Sequence, residues 1–188
     1  TPCPVSPVAN TLLEEDGPCA RRIGPVYTKH YTDIGGHGGH AWALVADEPS
    51  PDFTEGVEWL FDVVEAGAYK VWAHVPASDL ALATSATYEV THASGSTAVV
   101  VDHASSAGST VLLGVFQFEA GTQGQSVRVL DSFVTPTDEG QILLIDAIEV
   151  GPSSYCACFE VDAIETLPCG DGTMTRVCDG CQWSEWSA

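Results

Sequence analysis

WLFDVVEAGAYKVWAHVP, residues 59–76, decides the fold. Val57, Trp59 and Phe61 recur at every second position and share one face of a strand. Ala66-Gly67 is a turn. Tyr69, Val71, Ala73 and Val75 then line one face of the next strand, with Lys70, Trp72 and His74 on the other. Successive strand side chains point to opposite sides of a sheet, so this is the signature of two half-buried strands joined by a turn. Pro76 ends the second one.

The same reading extends outward. Thr87–His92 and Thr97–Asp102 form a hairpin closed at Ala93-Ser94-Gly95. Val111–Glu119 is a strand, turned by Ala120-Gly121 and Gly124; Ser126–Asp131 and Ile142–Val150 follow. Upstream, residues 26–47 read as a strand pair interrupted by IGGHGGH (residues 34–40), whose glycines mark a sharp turn or a close backbone approach. About eight or nine strands with turn signals between them, and no long helical period, predict an all-β protein: a jelly-roll-like antiparallel β-sandwich.

The ends differ from this middle. Residues 1–25 carry Pro2, Pro4, Pro7, Pro18 and Pro25, and read as an extended arm with Cys3–Cys19 as its bridge and a short helical turn around Asn10–Asp16. Residues 152–188 are Cys-rich and poor in aliphatic core, which predicts a small disulfide-rich appendage. The expected organisation is an arm (1–25), a sandwich (26–151) and an appendage (152–188).

Charge narrows the function. There are 26 acidic residues against 6 basic ones, a net charge of −20. Nucleic-acid binding needs Lys and Arg to displace counterions, and anionic membrane surfaces need the same, so both partners are excluded. No apolar run is long enough to insert in a membrane. The charge suits a solvated acidic surface and, as the alternative, a Ca²⁺ site; Ca²⁺ is the one cofactor the composition suggests. Seven cysteines in 188 residues imply an oxidising, extracytoplasmic setting. They are Cys3, Cys19, Cys156, Cys158, Cys169, Cys178 and Cys181. The odd number means a missing partner, a free thiol or an inter-chain bridge. A chain that begins at Thr1 is expected to be a mature or trimmed product.

Several side chains invite a chemical role. His37 and His40 lie three apart in the glycine loop, with Asp33 nearby, a pattern that can face one Zn²⁺ or Cu²⁺. The competing role is a pair of solvent-exposed loop histidines. Asp102, His103, Ser105 and Ser106 supply the residue types of a hydrolase triad, but their adjacency and the lack of a G-x-S-x-G elbow argue against one. Asp102 is better read as a strand-end carboxylate bonding turn amides. Cys178 and Cys181 form a CxxC without the context of a haem, zinc-ribbon or redox motif, and read as structural disulfide cysteines. Asp146 sits inside the apolar run ILLIDAIEV and needs a partner: a turn, Arg21 or Arg22, or a Ca²⁺ ion. Sugar binding needs an aromatic platform beside polar groups; Trp42, Trp72, Tyr27, Tyr31 and Tyr69 are the candidates, each against ordinary core packing. An anionic glycan would be repelled, so a neutral glycan or a cation-mediated contact is favoured.

Taken in order, these segments resemble the golvesin/xanthan-lyase C-terminal domain family over about residues 19–150. The resemblance rests on Gly24-Pro25-Val26-Tyr27 with the Gly35–Gly39 loop, Trp59, and Ala66-Gly67-Ala68-Tyr69-Lys70-Val71. It continues through Tyr88–His92, Val99-Val100-Val101-Asp102, Leu113-Gly114 with Phe116 and Phe118, Ala120-Gly121, and Asp146-Ala147-Ile148. It implies a secreted bacterial β-sandwich, similar to carbohydrate-binding jelly rolls and associated with polymer attachment rather than turnover. One departure is His103, where the family has Gln after VVD; a ligand contact there would alter specificity. The tail, residues 169–188, resembles part of a thrombospondin type-1-like repeat, whose Trp/Arg ladder would fall on Trp183, Trp186 and Arg176. The expected function is a non-enzymatic module, secreted or at the cell surface, that attaches to a glycan or cell-envelope polymer, with Trp42, Trp72, Tyr27, Tyr31 and His103 as ligand contacts. The alternative is a self-associating subunit of an extracellular fibre, to which the Pro-rich arm and the odd cysteine would be suited.

Overall fold

A computed structural model describes residues 2–24, 29–32, 36–46, 55–121, 124–133, 138–153, 164–169 and 172–177. Its elements in chain order are β1 (Cys3–Val5), β2 (Thr11–Leu13), β3 (Ala20–Ile23), β4 (Lys29–Thr32), a 3₁₀ turn (His37–Gly39), β5 (His40–Val45), β6 (Gly56–Val63) and β7 (Gly67–Val75). They continue with β8 (Ala86–His92), β9 (Gly95–Val101), β10 (Ser109–Phe118), β11 (Ser126–Phe133), β12 (Ile142–Ile145), β13 (Ile148–Pro152), β14 (Ile164–Cys169) and β15 (Gly172–Val177). The chain divides into two units, Thr1–Ser153 and Ser154–Ala188.

The first unit is all-β, with three sheets. One runs β1-β6-β11-β8-β9 with β3 also on β6, one runs β10-β7-β13-β2, and one runs β12-β5-β4. The alternation that predicted β6 and β7 is what packs them. Val57, Trp59, Phe61 and Val63 of β6 are buried, as are Tyr69, Val71, Ala73 and Val75 of β7, and all belong to one hydrophobic core. Val127 and Val129, Tyr88 and Val90, Phe116 and Phe118, and Ile148 and Val150 join the same core. Phe118 packs edge-on against Phe61 (ring centroids 5.2 Å apart) and near Tyr69 (6.0 Å), which locks β10 to both first strands. The β10–β7 ladder slips by one residue at Leu113-Gly114. Gly114 takes φ +155°, and a Cβ there would lie 2.8 Å from the Phe116 ring, so glycine is what the bulge admits. Among the described residues no pairing joins the three sheets into a closed barrel or jelly roll.

Two expectations change. Residues 3–23, expected as an extended arm with a helical turn at Asn10–Asp16, supply strands to two sheets: β1 pairs parallel and β3 antiparallel with β6, and β2 pairs with β13. The predicted strand Ile142–Val150 breaks at Asp146-Ala147. Its first half pairs with β5 and its second with β7, so the chain changes sheets at the acid. The bridge expected of the N-terminal segment, Cys3–Cys19, is formed, with Cα atoms 5.5 Å apart. Cys156, Cys158, Cys178 and Cys181 lie outside the described residues, as do Trp183 and Trp186. In the second unit β14 and β15 pair as an antiparallel hairpin, Ile164 opposite Val177 and Cys169 opposite Gly172.

Candidate functional site

Three segments far apart in sequence meet at the glycine loop. Glu14 and Glu15 follow β2 inside the disulfide loop, Asp146 sits at the β12–β13 break, and His37 and His40 bracket the 3₁₀ turn. The loop holds all three carboxylates. The His37 backbone N–H donates to Asp146 Oδ2 at 2.8 Å. The His37 ring Nδ1 lies 2.6 Å from Glu14 Oε1, and His40 Nδ1 lies 2.7 Å from Glu15 Oε1. Gly36 permits the approach: a Cβ there would fall 2.2 Å from the His40 carbonyl oxygen. Glu15 is fully buried and Asp146 is 3% exposed.

Burial decides the electrostatics. It raises the Glu15 carboxyl to about 7 against the pull of its bond to His40. It raises Asp146 to about 6, with the charge of Glu14 adding to the effect and the His37 N–H bond opposing it. His40 is raised above its ordinary value by its bond to Glu15. Two groups of side chains here could hold a divalent cation: Glu14, Glu15 and Asp146, and Glu15, Asp16 and His40, each with ligand atoms within 4.8 Å of one another.

A cleft of about 220 Å³ adjoins this cluster, lined by Gly36, His37, His74, Ser109, Thr110 and Asp146 among others. His37 and His74 meet edge to face across it, with ring centroids 5.8 Å apart. His74 Nδ1 lies 3.3 Å from Thr110 Oγ1, and its Nε2 lies 3.3 Å from Glu149 Oε2. It stands on the outward face of β7, two residues from Trp72. Trp72 lies opposite Leu112 of β10 and Glu149 of β13, and Leu112 is 50% exposed. The outward face of this sheet therefore leads from an apolar row, Trp72 and Leu112, to the polar cleft.

The remaining candidates scatter. Trp42 is partly buried against the core, with the Arg22 guanidinium 4.6 Å above its ring, so its face is already covered. Tyr69 is buried core. Tyr31 lies in β4, its side chain beyond description, and Tyr27 and Asp33 fall outside the described residues. Arg21 pairs with Glu58, so Asp146 found a turn amide and neither arginine. Asp102 Oδ1 accepts the Ser105 N–H at 2.9 Å, the turn role expected of it. Each histidine of the HxxH loop meets a glutamate of the N-terminal segment. Glu14 and Glu15 were missed because a three-residue strand is too short to show alternation, and their Leu-Leu-Glu-Glu run reads as helix.

His103, expected as a ligand contact, lies fully buried, with Nε2 3.1 Å from the Tyr88 hydroxyl and the two rings tilted by 30° at a centroid distance of 5.8 Å. Burial lowers its pKa from 6.5 to about 4. The folded state refuses a proton that the unfolded chain accepts, so stability is fully present above pH 6.5 and lost as pH falls toward 4. The full loss is roughly 3 kcal/mol. Glu15 and Asp146 have the opposite sign: their raised values favour the fold at low pH, and that contribution is lost as pH rises through about 6 to 7. Urea unfolding at pH 7.5 and 4.5 of His103→Gln and the parent isolates the histidine. The variant, which keeps a polar partner for Tyr88 but does not titrate, is expected to lose roughly 2 kcal/mol less between the two pH values.

The family described as the Golvesin C-terminal domain matches residues 32–150. Among solved structures the chain is similar to Paenibacillus xanthan lyase, with a TM-score of 0.61 and 19% sequence identity, over 76% of this chain and 13% of that one. It is also similar to the exo-β-1,3-galactanase of Phanerochaete chrysosporium solved with galactose, with a TM-score of 0.45 and 14% identity, over 76% of this chain and 29% of that one. The chain thus spans a small part of either enzyme, and the likeness to xanthan lyase is one of fold. No curated protein matches. Among the described residues, no helix is long and apolar enough to cross a membrane.

Proposed function

The chain belongs to the Golvesin C-terminal domain family, and from that premise we propose that it is a non-catalytic module, secreted or displayed at the cell surface, that attaches to polysaccharide or another cell-envelope polymer. The observation that carries this reading is the outward face of the β10-β7-β13-β2 sheet, where Trp72 and Leu112 lie beside the cleft of His74, Thr110 and Asp146. A pyranose ring offers an apolar face to an indole and hydroxyls to polar side chains, and a rigid sheet holds the two sets at fixed spacing. With a net charge of −20 the ligand is a neutral glycan, or an anionic one bridged by Ca²⁺.

Affinity electrophoresis through gels cast with neutral polysaccharides, with and without Ca²⁺, tests the reading. Retardation by at least one polymer is expected. Trp72→Ala should weaken it roughly tenfold or more, while Trp42→Ala, whose ring is covered, should leave it nearly unchanged. Retardation that Trp72→Ala does not alter removes this face from the site, and no retardation by any polymer overturns the proposal.

A further inference from the structure

The geometry points to a Ca²⁺ site built by Glu14, Glu15 and Asp146, at the wall of the cleft that Asp146 also lines, and able to fill without any glycan. Each of the three offers an oxygen within 4.8 Å of the others. Three carboxylates so close, two of them buried, repel one another unless something positive lies between them. Arg21 is committed to Glu58 and Arg22 to Trp42, so neither arginine serves here.

The second observation is the oxygens left over. Asp146 is 97% out of solvent by its 3% exposure, yet Oδ1 has no hydrogen-bond partner among the described residues, and neither does the buried Glu14 Oε2. Buried acceptors are rarely left so, and each costs about 1–3 kcal/mol when it is. Meanwhile the opposite oxygens, Asp146 Oδ2 and Glu14 Oε1, are held by His37, through its N–H and its ring; Glu15 Oε1 is held by His40. A carboxylate fixed through one oxygen and presenting the other is how outer partners orient metal ligands. The glycine loop is then the support and the acids are the ligands, the reverse of a histidine metal site.

Oxygen-only ligation selects a hard cation, and the flexible spacing of three carboxylates drawn from two loops suits Ca²⁺ with carbonyls or water completing its shell. Binding joins the disulfide loop, which carries Glu14 and Glu15, to the β12–β13 break, which carries Asp146. The ion therefore fastens the N-terminal strands to the sandwich.

The test uses the whole chain, stripped with EGTA and titrated with CaCl2 while thermal unfolding and binding stoichiometry are followed, with NaCl at matched ionic strength as control. One Ca²⁺ per chain is expected, with Tm raised by roughly 5–10 °C at a hundredfold excess over Kd. Glu14→Gln and Asp146→Asn each keep the hydrogen bond to His37 and should abolish most of that shift. Glu119→Gln, outside the cluster, should not. The absence of a Ca²⁺ shift, a shift that NaCl reproduces, or one that survives in Glu14→Gln would overturn the site. Saturation by Zn²⁺ in preference to Ca²⁺, lost in His40→Ala, would overturn it in favour of the Glu15–Asp16–His40 group. Because no glycan is present, the outcome is separate from that of the gel assay.

Discussion

Replacing Cys3 and Cys19 by serine lowers the stability of the first unit by about 3 kcal/mol, the value for a loop of this size. Thermal unfolding should reveal it as a Tm lower by roughly 6–12 °C, with a far-UV spectrum still that of a β-protein. The reason lies in where the bridge sits. It joins β1 to the residue before β3, and both strands lie on β6, while the loop between them crosses to the other sheet as β2. Opening the bridge frees that loop in the unfolded chain; in the folded one it touches only the margin of the main core, where Cys19 is buried and Cys3 packs, and leaves Val57, Phe61, Val71 and Val127 in place. A variant that loses its β-spectrum entirely would show that the N-terminal strands nucleate the sandwich rather than dress it. A variant as stable as the parent would show that the β1 and β3 pairings alone hold the segment.

Trp59→Ala is expected to cost about 3–5 kcal/mol, the range for a large aromatic deleted from a core. Trp59 is 1% exposed, the largest side chain buried in the unit, and its backbone pairs with Ala20 on one side and Val127 on the other. A cavity there would open between both neighbours. Its Nε1–H is buried without a hydrogen-bond partner among the described residues, which makes Trp59→Phe the informative control. Phenylalanine keeps most of the volume and removes the unsatisfied donor, whose burial costs about 1–3 kcal/mol. The two effects offset, so the net change should stay within about 1 kcal/mol. Urea midpoints at constant slope measure both. If Trp59→Phe falls as far as Trp59→Ala, the indole N–H is satisfied, by water, and the core tolerates no loss of it.

Much of the sandwich was legible because its strands are long enough to repeat. Trp59 and Phe61, and Tyr69 through Val75, alternate over enough positions that period 2 has no rival, and their burial follows. The hairpin at Ala93-Ser94 was legible from its turn residues, His92 pairing with Gly95. What failed to show was short or shared. β1, β2 and β3 have three or four residues each, fewer than a period needs. The run ILLIDAIEV is apolar on both sides of its acid and carries no mark of a change of sheet, since the agent, the His37 N–H, is remote in sequence. The candidate site was half legible for the same reason. The histidine loop and Asp146 each stood out locally, but their meeting with Glu14 and Glu15 is a product of strand pairing.

The N-terminal strands have one more consequence. The family match begins at residue 32, whereas β1, β2 and β3 end at Ile23. They cover the edge of β6 along Gly56–Val63 and the edge of β13 along Ile148–Val150. A polypeptide trimmed to the family boundary would bare two ladders of backbone donors and acceptors on strands whose other face is core, the template on which stray chains aggregate. Both cysteines of the bridge lie within the covering segment itself, so no covalent bond beyond the chain ties the segment to its own sandwich. That is the arrangement in which a neighbouring copy's segment could take its place, chain into chain, without a single new kind of contact.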